Sequence, residues 1–305
     1  MCASTLAFRA LFQGVKQVGC KASHSDIAER FWRDGYAVIR QAFDPAQVRA
    51  WRETALAERS PLDLLSRPRL RAIVADETMI GMARAILGGQ PVYFGDSTAA
   101  VGTAQGSGFH KDNTDRYDSA APDWAVERYP TIRFGIYTQA HGSLPGGLDL
   151  RRRSHMTADV MGGEFQSPAV EPGDLIVWNG RTTHSANSPK LRWLNMRVEA
   201  NRPLWTAIRK LRADWIYARH PQERVAFFVT YALADPLLDR HIAYLKTREY
   251  AVAAMRRIDW DGNAIAFARE AGLALIKPDA TGATGENVDF RPIPYDLAAP
   301  RQLPI

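Results

Sequence analysis

Apolar residues recur at helical spacing from the start of the chain to Leu87, then give way to short extended runs. Ser25-Asp26 offers a cap for a helix through Phe31-Trp32, which Gly35 ends before the strand-like run Tyr36-Ala37-Val38-Ile39. Asp44-Pro45 combines an N-cap with a proline in the first turn, and Val48, Trp51, Ala55 and Leu56 give that helix its apolar face. A further helix spans Asp76 to Leu87 and stops at Gly88-Gly89. From Pro91 the period becomes that of strands, at Val92-Phe94, Thr131-Thr138, Leu175-Trp178 and Trp193-Ala200, with Gly, Pro, Asn and Ser clusters between them. After Pro203 helical spacing returns, interrupted by the strand-like Val225-Tyr231. Asp235-Pro236 then caps a helix through Ile242 and Leu245, and the C-terminal stretch, rich in Gly, Pro and Asp, reads as a surface tail.

This order predicts a mainly β protein with flanking helices (α+β), its barrel or double-sheet jelly-roll core wrapped by N- and C-terminal helices. No repeat or low-complexity linker divides the chain, so one domain is expected. Residues 25–90 form its helical lead-in, 91–202 its β core, and 203–305 a helical and tail region packed on that core.

Residues 1–24 are an extension with Arg9, Lys16 and Lys21 but no acid before Asp26, and with Phe8, Leu11, Phe12, Val15 and Val18 in one stripe. The stripe suits a targeting peptide, a membrane-surface helix over residues 5–19, or a terminal helix packed on the domain or on a second subunit. No stretch reaches the roughly 20 apolar residues of a membrane span. Cys2 and Cys20 supply neither a disulfide framework nor a thiolate metal site, which favours a reducing compartment, the cytoplasm. The 39 basic and 33 acidic residues give a net charge of +6, scattered rather than arrayed with aromatics. Nucleic acid is therefore not an expected partner. A small-molecule substrate is, and the chain is expected as a monomer or homodimer. The cluster Arg151-Arg152-Arg153 favours an anionic substrate, or is a solvated turn.

The chemistry concentrates at Gly108-Phe109-His110-Lys111-Asp112. Alternate residues of an extended strand share a face, so His110 and Asp112 can reach inward together. Thr183-His184-Ser185, after the buried run Gly173 to Trp178, offers a third ligand. Two imidazoles and a carboxylate on one face of an octahedron form the facial triad of non-haem iron(II) sites. A pair of hydrogen-bonded core histidines would give the same sequence. Beyond the turn at Asn187-Ser188-Pro189, Leu194, Met196, Val198 and Ala200 share one strand face, and Arg192 enters that face at its mouth. A guanidinium there needs an anion, either a bound dicarboxylate or an internal acid. Arg197 falls on the opposite, wet side. The loop from Asn113 to Pro130 lies beside the first ligands, and Arg116, Tyr117 and Trp124 are its candidate lid and substrate-reading residues.

Over residues 25 to 202 the chain resembles the phytanoyl-CoA dioxygenase family of iron(II)/2-oxoglutarate oxygenases. Phe31 to Ile39 followed by Asp44-Pro45 is similar to the family's entry helix and first strand. Ala83 to Gly88 and then Pro91-Val92-Tyr93 are similar to its passage into the metal site. Phe109-His110-Lys111-Asp112 matches its His-x-Asp, Gly146-Gly147-Leu148 to Ser154-His155 its Gly-Ser-His stretch, and Gly173-Asp174 through His184, Asn187 and Arg192 its distal half-site. Arg152-Arg153 stands where the family has Pro-Gly, and Ser185 follows the distal histidine by one residue rather than two.

The resemblance implies a double-stranded β-helix (cupin-like jelly roll) with iron(II) on His110, Asp112 and His184. It implies 2-oxoglutarate held by Arg192, with Ser185 assisting and Arg197 in reserve, and O2 as oxidant. The expected activity is hydroxylation of an unactivated C–H bond with release of succinate and CO2. Desaturation, epimerisation or ring chemistry with the same cofactors is the alternative outcome. A non-catalytic jelly-roll binding module and a zinc hydrolase are the alternatives of other classes.

Overall fold

The computed structural model describes residues 23–102, 108–141, 146–186, 191–193, 198–210, 216 and 221–286. The expectations for residues 5–19, Cys2, Cys20 and Arg197 lie outside the described residues.

Helices α1 (His24–Asp34), α2 (Pro45–Glu58), α3 (Arg71–Val74) and α4 (Glu77–Leu87) lead in, with strand β1 (Tyr36–Ile39) between the first two. Their starts follow the sequence signals closely. Asp44 caps α2 through Ala46 N–H, and Asp76 caps α4 through Thr78 and Met79 N–H. The first helix begins slightly earlier than its pattern suggests. Ser23, not Ser25, is its cap, because Asp26 at N3 closes a capping box with it. Gly35 ends α1 at a φ of 86°, and a Cβ there would strike His155 and Thr182.

The β elements follow as β2 (Val92–Val101), β3 (Thr131–Tyr137), β4 (Leu148–Arg152), β5 (Glu164–Gln166), β6 (Leu175–Asn179), β7 (His184–Ala186), β8 (Val225–Ala232) and β9 (Ala274–Leu275). A short α5 (Pro122–Ala125) interrupts the loop before β3. Helices α6 (Pro203–Lys210), α7 (Pro236–Leu245), α8 (Glu249–Met255) and α9 (Gly262–Glu270) fall in the C-terminal part.

Among the described residues the strands form two sheets, one ordered β1-β6-β3-β8-β2-β9 and the other β5-β4-β7. An isolated antiparallel bridge between His110 and His184 adds a fourth member at the β7 edge of the smaller sheet. From β2 to β8 the chain passes back and forth between the sheets, and the pairs β2-β8, β8-β3 and β3-β6 are all antiparallel. That winding is the jelly roll expected. The core does not end at residue 202, however. The strand β8 lies at the middle of the larger sheet, between β3 and β2. Its run Val225-Ala226-Phe227-Phe228-Val229 is apolar on both faces, as a central strand's must be.

Two hydrophobic layers result. Ile132, Phe134, Ile136, Leu175, Val177, Val225, Phe227 and Val229 face outward against α1, α2, α4 and α9. Tyr137, Leu148, Leu150, Ile176, Trp178 and Ala226 fill the space between the sheets, with Phe228 packed on them. Alternation along each strand separates the two sets.

Helix α7 is bound to the loop after Asp112 by a buried ion pair. Arg240 Nη2 donates to Asp115 Oδ1 at 2.6 Å, both side chains being fully buried. Asp115 N–H and Asn113 Nδ2 donate to Asp123 Oδ2 at 2.9 and 2.8 Å. Burial first, and then the charge of Asp115, push the Asp123 carboxyl up to about 6. Arg240→Met should lower unfolding stability by about 3–5 kcal/mol, because it leaves Asp115 charged and buried. Denaturant unfolding checks this, and a loss below about 1 kcal/mol would contradict it. The raised pKa of Asp123 means that the folded state favours its protonated form. Its stabilising contribution is present below the unfolded carboxyl range and lost as pH rises through about 6. Asp123→Asn should therefore gain on the wild type as pH rises from 4 to 8; a difference constant across that range would contradict the assignment.

Candidate metal centre

His110 and His184 are direct partners across the bridge. His110 N–H donates to His184 O at 3.0 Å and His184 N–H to His110 O at 2.9 Å. The two imidazoles therefore sit side by side, with ring centroids 4.5 Å apart. Beyond His110 the chain leaves the ladder, and the N–H groups of Asp112 and Asn113 both donate to Gly180 O, at 2.9 and 3.0 Å. That anchor places the Asp112 carboxylate 3.3 Å from His184 Nε2 and 3.8 Å from His110 Nε2. One ligand atom from each of the three lies within 4.8 Å of the others, so one cation can join them. Lys111, between two of them, is buried and points elsewhere, its Nζ donating to Ser154 O and Arg181 O at 2.7 and 2.8 Å.

The tautomers follow from the partners. His110 Nδ1 lies 3.0 Å from Gly108 O, and His184 Nδ1 lies 3.0 Å from Thr182 O. A carbonyl can only accept, so Nδ1 carries a hydrogen in both rings and Nε2 is the atom each ring turns toward Asp112. Burial, then the neighbouring His184, lower the His110 pKa to about 4, so this imidazole is neutral at pH 7. Burial alone would raise Asp112. The imidazole of His184, through charge and hydrogen bond, together with Arg133 and His110, outweighs it and holds the carboxyl well below its usual range. Two imidazole nitrogens and an ionised carboxylate suit a divalent transition metal such as iron(II).

Arg133 from β3 stands beside the triad, with Nη1 3.5 Å from Asp112 and 3.8 Å from Asp96. Its guanidinium carbon lies 5.6 Å from the centroid of Phe228. At the far end of the same interior face is Arg224, the residue before β8. It is 4% exposed, and its guanidinium carbon lies 5.8 Å from the Tyr137 ring and 5.9 Å from that of Phe228. Arg224 Nε donates to Gly146 O at 2.8 Å, while Nη2 has no acceptor among the described residues. The buried Tyr137 hydroxyl and Trp178 Nε1 are likewise without hydrogen-bond partners there. Three donors thus face the space between the sheets, where an uncompensated buried polar group costs about 1–3 kcal/mol.

The expectations for Arg192 and Ser185 need correction. Arg192 lies in an exposed turn rather than on a strand; its backbone N–H donates to Ile216 O at 2.8 Å. The parity inference assumed one continuous strand from 192 to 200, and neither Arg192-Trp193 nor Val198 to Ala200 is in one. Ser185 is buried, but alternation along β7 turns it away from the face carrying His184, in register with Asp149. The arginine that meets the same physical criterion, a guanidinium entering a buried apolar strand face, is Arg224. Its signal stood in the sequence directly before Val225-Tyr231. Of the loop candidates, Arg116 lines a cavity beside Asp112, whereas Tyr117 is exposed. Trp124 donates Nε1 to Asp115 O at 2.6 Å and packs against Arg181 and Lys111, a structural position. Arg151 is no solvated residue: it is buried against Glu199 and the carbonyls of Gly162 and Gly163.

No family model matches the chain, and no curated protein matches it. Among solved structures it is similar to the non-haem alpha-ketoglutarate-dependent epimerase SnoN from nogalamycin biosynthesis, at 14% identity over 70% of this chain and 83% of that one, with a TM-score of 0.49. It is also similar to the non-haem monooxygenase ThoJ in its nickel complex, at 15% identity over 68% and 77%, TM-score 0.48. A third is EctD from S. alaskensis with 2-oxoglutarate and 5-hydroxyectoine, at 15% identity over 67% and 74%, TM-score 0.46.

Removing either His110 or Asp112 by substitution with alanine should weaken binding of cobalt(II), followed by its visible absorption, more than roughly a hundredfold, since loss of a ligand exceeds the loss of an outer partner. Far-UV circular dichroism should stay unchanged. Undiminished cobalt binding in both variants would dismiss the site.

Proposed function

We propose that this chain is an iron(II)- and 2-oxoglutarate-dependent oxygenase that hydroxylates an unactivated C–H bond of a small molecule. The observation that carries the reading is the pairing of two features inside one jelly roll. One is a His110-Asp112-His184 triad with a ligand atom of each residue within 4.8 Å of the others. The other is a buried Arg224 whose Nη2 finds no acceptor among the described residues. The resemblance of the sequence to the phytanoyl-CoA dioxygenase family points to the same chemistry.

In this reading His110, Asp112 and His184 hold the metal, and Arg224 takes the far carboxylate of 2-oxoglutarate. Iron(II) bound there supplies the oxidative decarboxylation of the 2-oxo acid by O2 that drives substrate oxidation. The residues contribute binding and orientation. Gly108 O and Thr182 O fix the two rings through their Nδ1 hydrogens, so neither has to find its orientation when metal binds. His184 first, and then Arg133, keep Asp112 ionised, which a metal ligand must be. The Tyr137 hydroxyl and Trp178 Nε1 stand as neutral donors for a carboxylate in the same interior, and the apolar wall around them excludes water. A zinc hydrolase would use the same three ligands but would leave Arg224 without a role.

The test is succinate release from 2-oxoglutarate by the iron-loaded protein in air. Arg224→Met should raise the 2-oxoglutarate KM roughly ten- to hundredfold, the equivalent of a charged hydrogen bond of about 1.5–3 kcal/mol. Arg192→Ala should leave it within about twofold, as for an exposed surface residue. No succinate above the metal-only background would reject the class, and a larger effect at Arg192 than at Arg224 would reject the assignment of the arginine.

A further inference from the structure

Beside Asp112, and bounded by Thr131, Arg133 and Thr230 of the larger sheet, lies a cavity of about 320 Å³, near the small end of ligand sites, which run from about 300 to 1,000 Å³. Its apolar lining comes from the C-terminal helices and the turn after them, through Leu245, Ala251, Met255 and Ile258. Its charged lining is Asp63, Asp96, Asp112, Arg116 and Arg133. Four of those five are already engaged. Asp63 accepts from the Ser66 and Tyr93 hydroxyls and from Trp260 Nε1. Asp112 belongs to the triad. Asp96 accepts the Thr230 hydroxyl at 2.5 Å, and Arg133 lies between the two carboxylates.

Arg116 differs. Its Nε donates to Asn113 O at 3.1 Å, and its guanidinium carbon stacks 5.1 Å from the centroid of Tyr244. Among the described residues no carboxylate is within ion-pair distance of it. The side chain is thus held in one place by a carbonyl and an aromatic face, with its terminal nitrogens left for something else. A fixed fork of this kind matches a carboxylate or phosphate, and holding it in advance removes part of the entropy cost of binding. Around it the apolar wall can cover a body of hydrocarbon but offers little to a second polar group.

We infer that the cavity takes a small amphipathic acid, with its anionic group on Arg116 and its apolar body along the wall formed by Leu245, Ala251, Met255 and Ile258. The inference rests on the oxygenase reading only in calling that acid the substrate; the ligand preference of the cavity stands apart from the metal.

Calorimetric titration of the full chain with octanoate, octanol and octylamine tests it. The three share a body and differ in head group, so charge selectivity is read directly. Octanoate should bind at least roughly tenfold more tightly than octanol, and octylamine should bind more weakly than either. Arg116→Gln should weaken octanoate roughly ten- to hundredfold and leave octanol unchanged, as for loss of one charged hydrogen bond. Ala254→Trp, at an exposed cavity-lining position on α8, should weaken octanoate and octanol alike by filling the space. Octanol or octylamine binding as tightly as octanoate would overturn the inference. So would undiminished octanoate binding in Arg116→Gln, or no saturable octanoate binding by the folded wild type. Failure of the metal reading would appear separately, in the cobalt titration, and would leave these outcomes unaffected.

Discussion

Two backbone hydrogen bonds between His110 and His184 set the site. They make these residues a directly opposed, hydrogen-bonded antiparallel pair whose side chains share one face. A slip of one residue on either strand would turn one imidazole to the other side of the sheet. The carboxylate is fixed by a different device, because Asp112 has already left the ladder. Its N–H and that of Asn113 share one carbonyl, Gly180 O, at the end of the loop from β6 toward β7. All three ligands thus refer back to the segment from Asn179 to His184. Thr182 Oγ1 and Asn179 N–H in turn bond Gly35 O at 2.7 and 3.0 Å. The lead-in helices bear on the metal centre through that glycine.

The interior holds several buried cations, and their partners separate structural roles from ligand-binding ones. Arg181 donates to the carbonyls of Asp123, Val126 and Glu127, tying the loop around α5 to the β6–β7 turn. Arg151 and Arg240 have carboxylates, Glu199 and Asp115. Lys111 has two carbonyls, and burial, then Arg181, lower its pKa to about 7. Arg224 has one carbonyl and two aromatic faces, and no carboxylate among the described residues. Burial without a counter-charge is expensive, so a cation in that position is improved more by an anionic ligand than one already paired with a carboxylate.

Much of this was legible beforehand, for identifiable reasons. Caps at Asp44, Asp76 and Asp235 are local chemistry, and each starts its helix where the pattern put it. The His110-x-Asp112 spacing and the run ahead of His184 are also local, and they located the three candidate ligands. What failed was non-local. The loop that follows His184 carries helix α6 before the chain re-enters the sheet at Val225, so counting forward from the histidine led to Arg192, which lies in no strand, and passed over Arg224 just before β8. Assigning β8 to a peripheral region had the same origin, because nothing in a strand's own residues says which strands will flank it. Arg151 looked solvated in a run of three arginines; its partner Glu199 is distant in sequence.

Arg224 and Arg116, neither of them paired with a carboxylate among the described residues, are distinguished by what surrounds them more than by charge. Arg224 and Arg133 pack against the same ring, Phe228, from opposite ends of an interior face, and Tyr137 and Trp178 add polar donors at the deep end. A ligand there gains from having acceptor oxygens along its length and gains nothing from a long hydrocarbon. Arg116 has a single carbonyl and a tyrosine face on one side and an aliphatic wall beyond it. A ligand there gains about 25 cal/mol for each Å² of apolar surface it covers, and a second carboxylate on it would have to be desolvated against that wall. On the proposed readings, two anions of different kind would be sorted by the rest of each molecule.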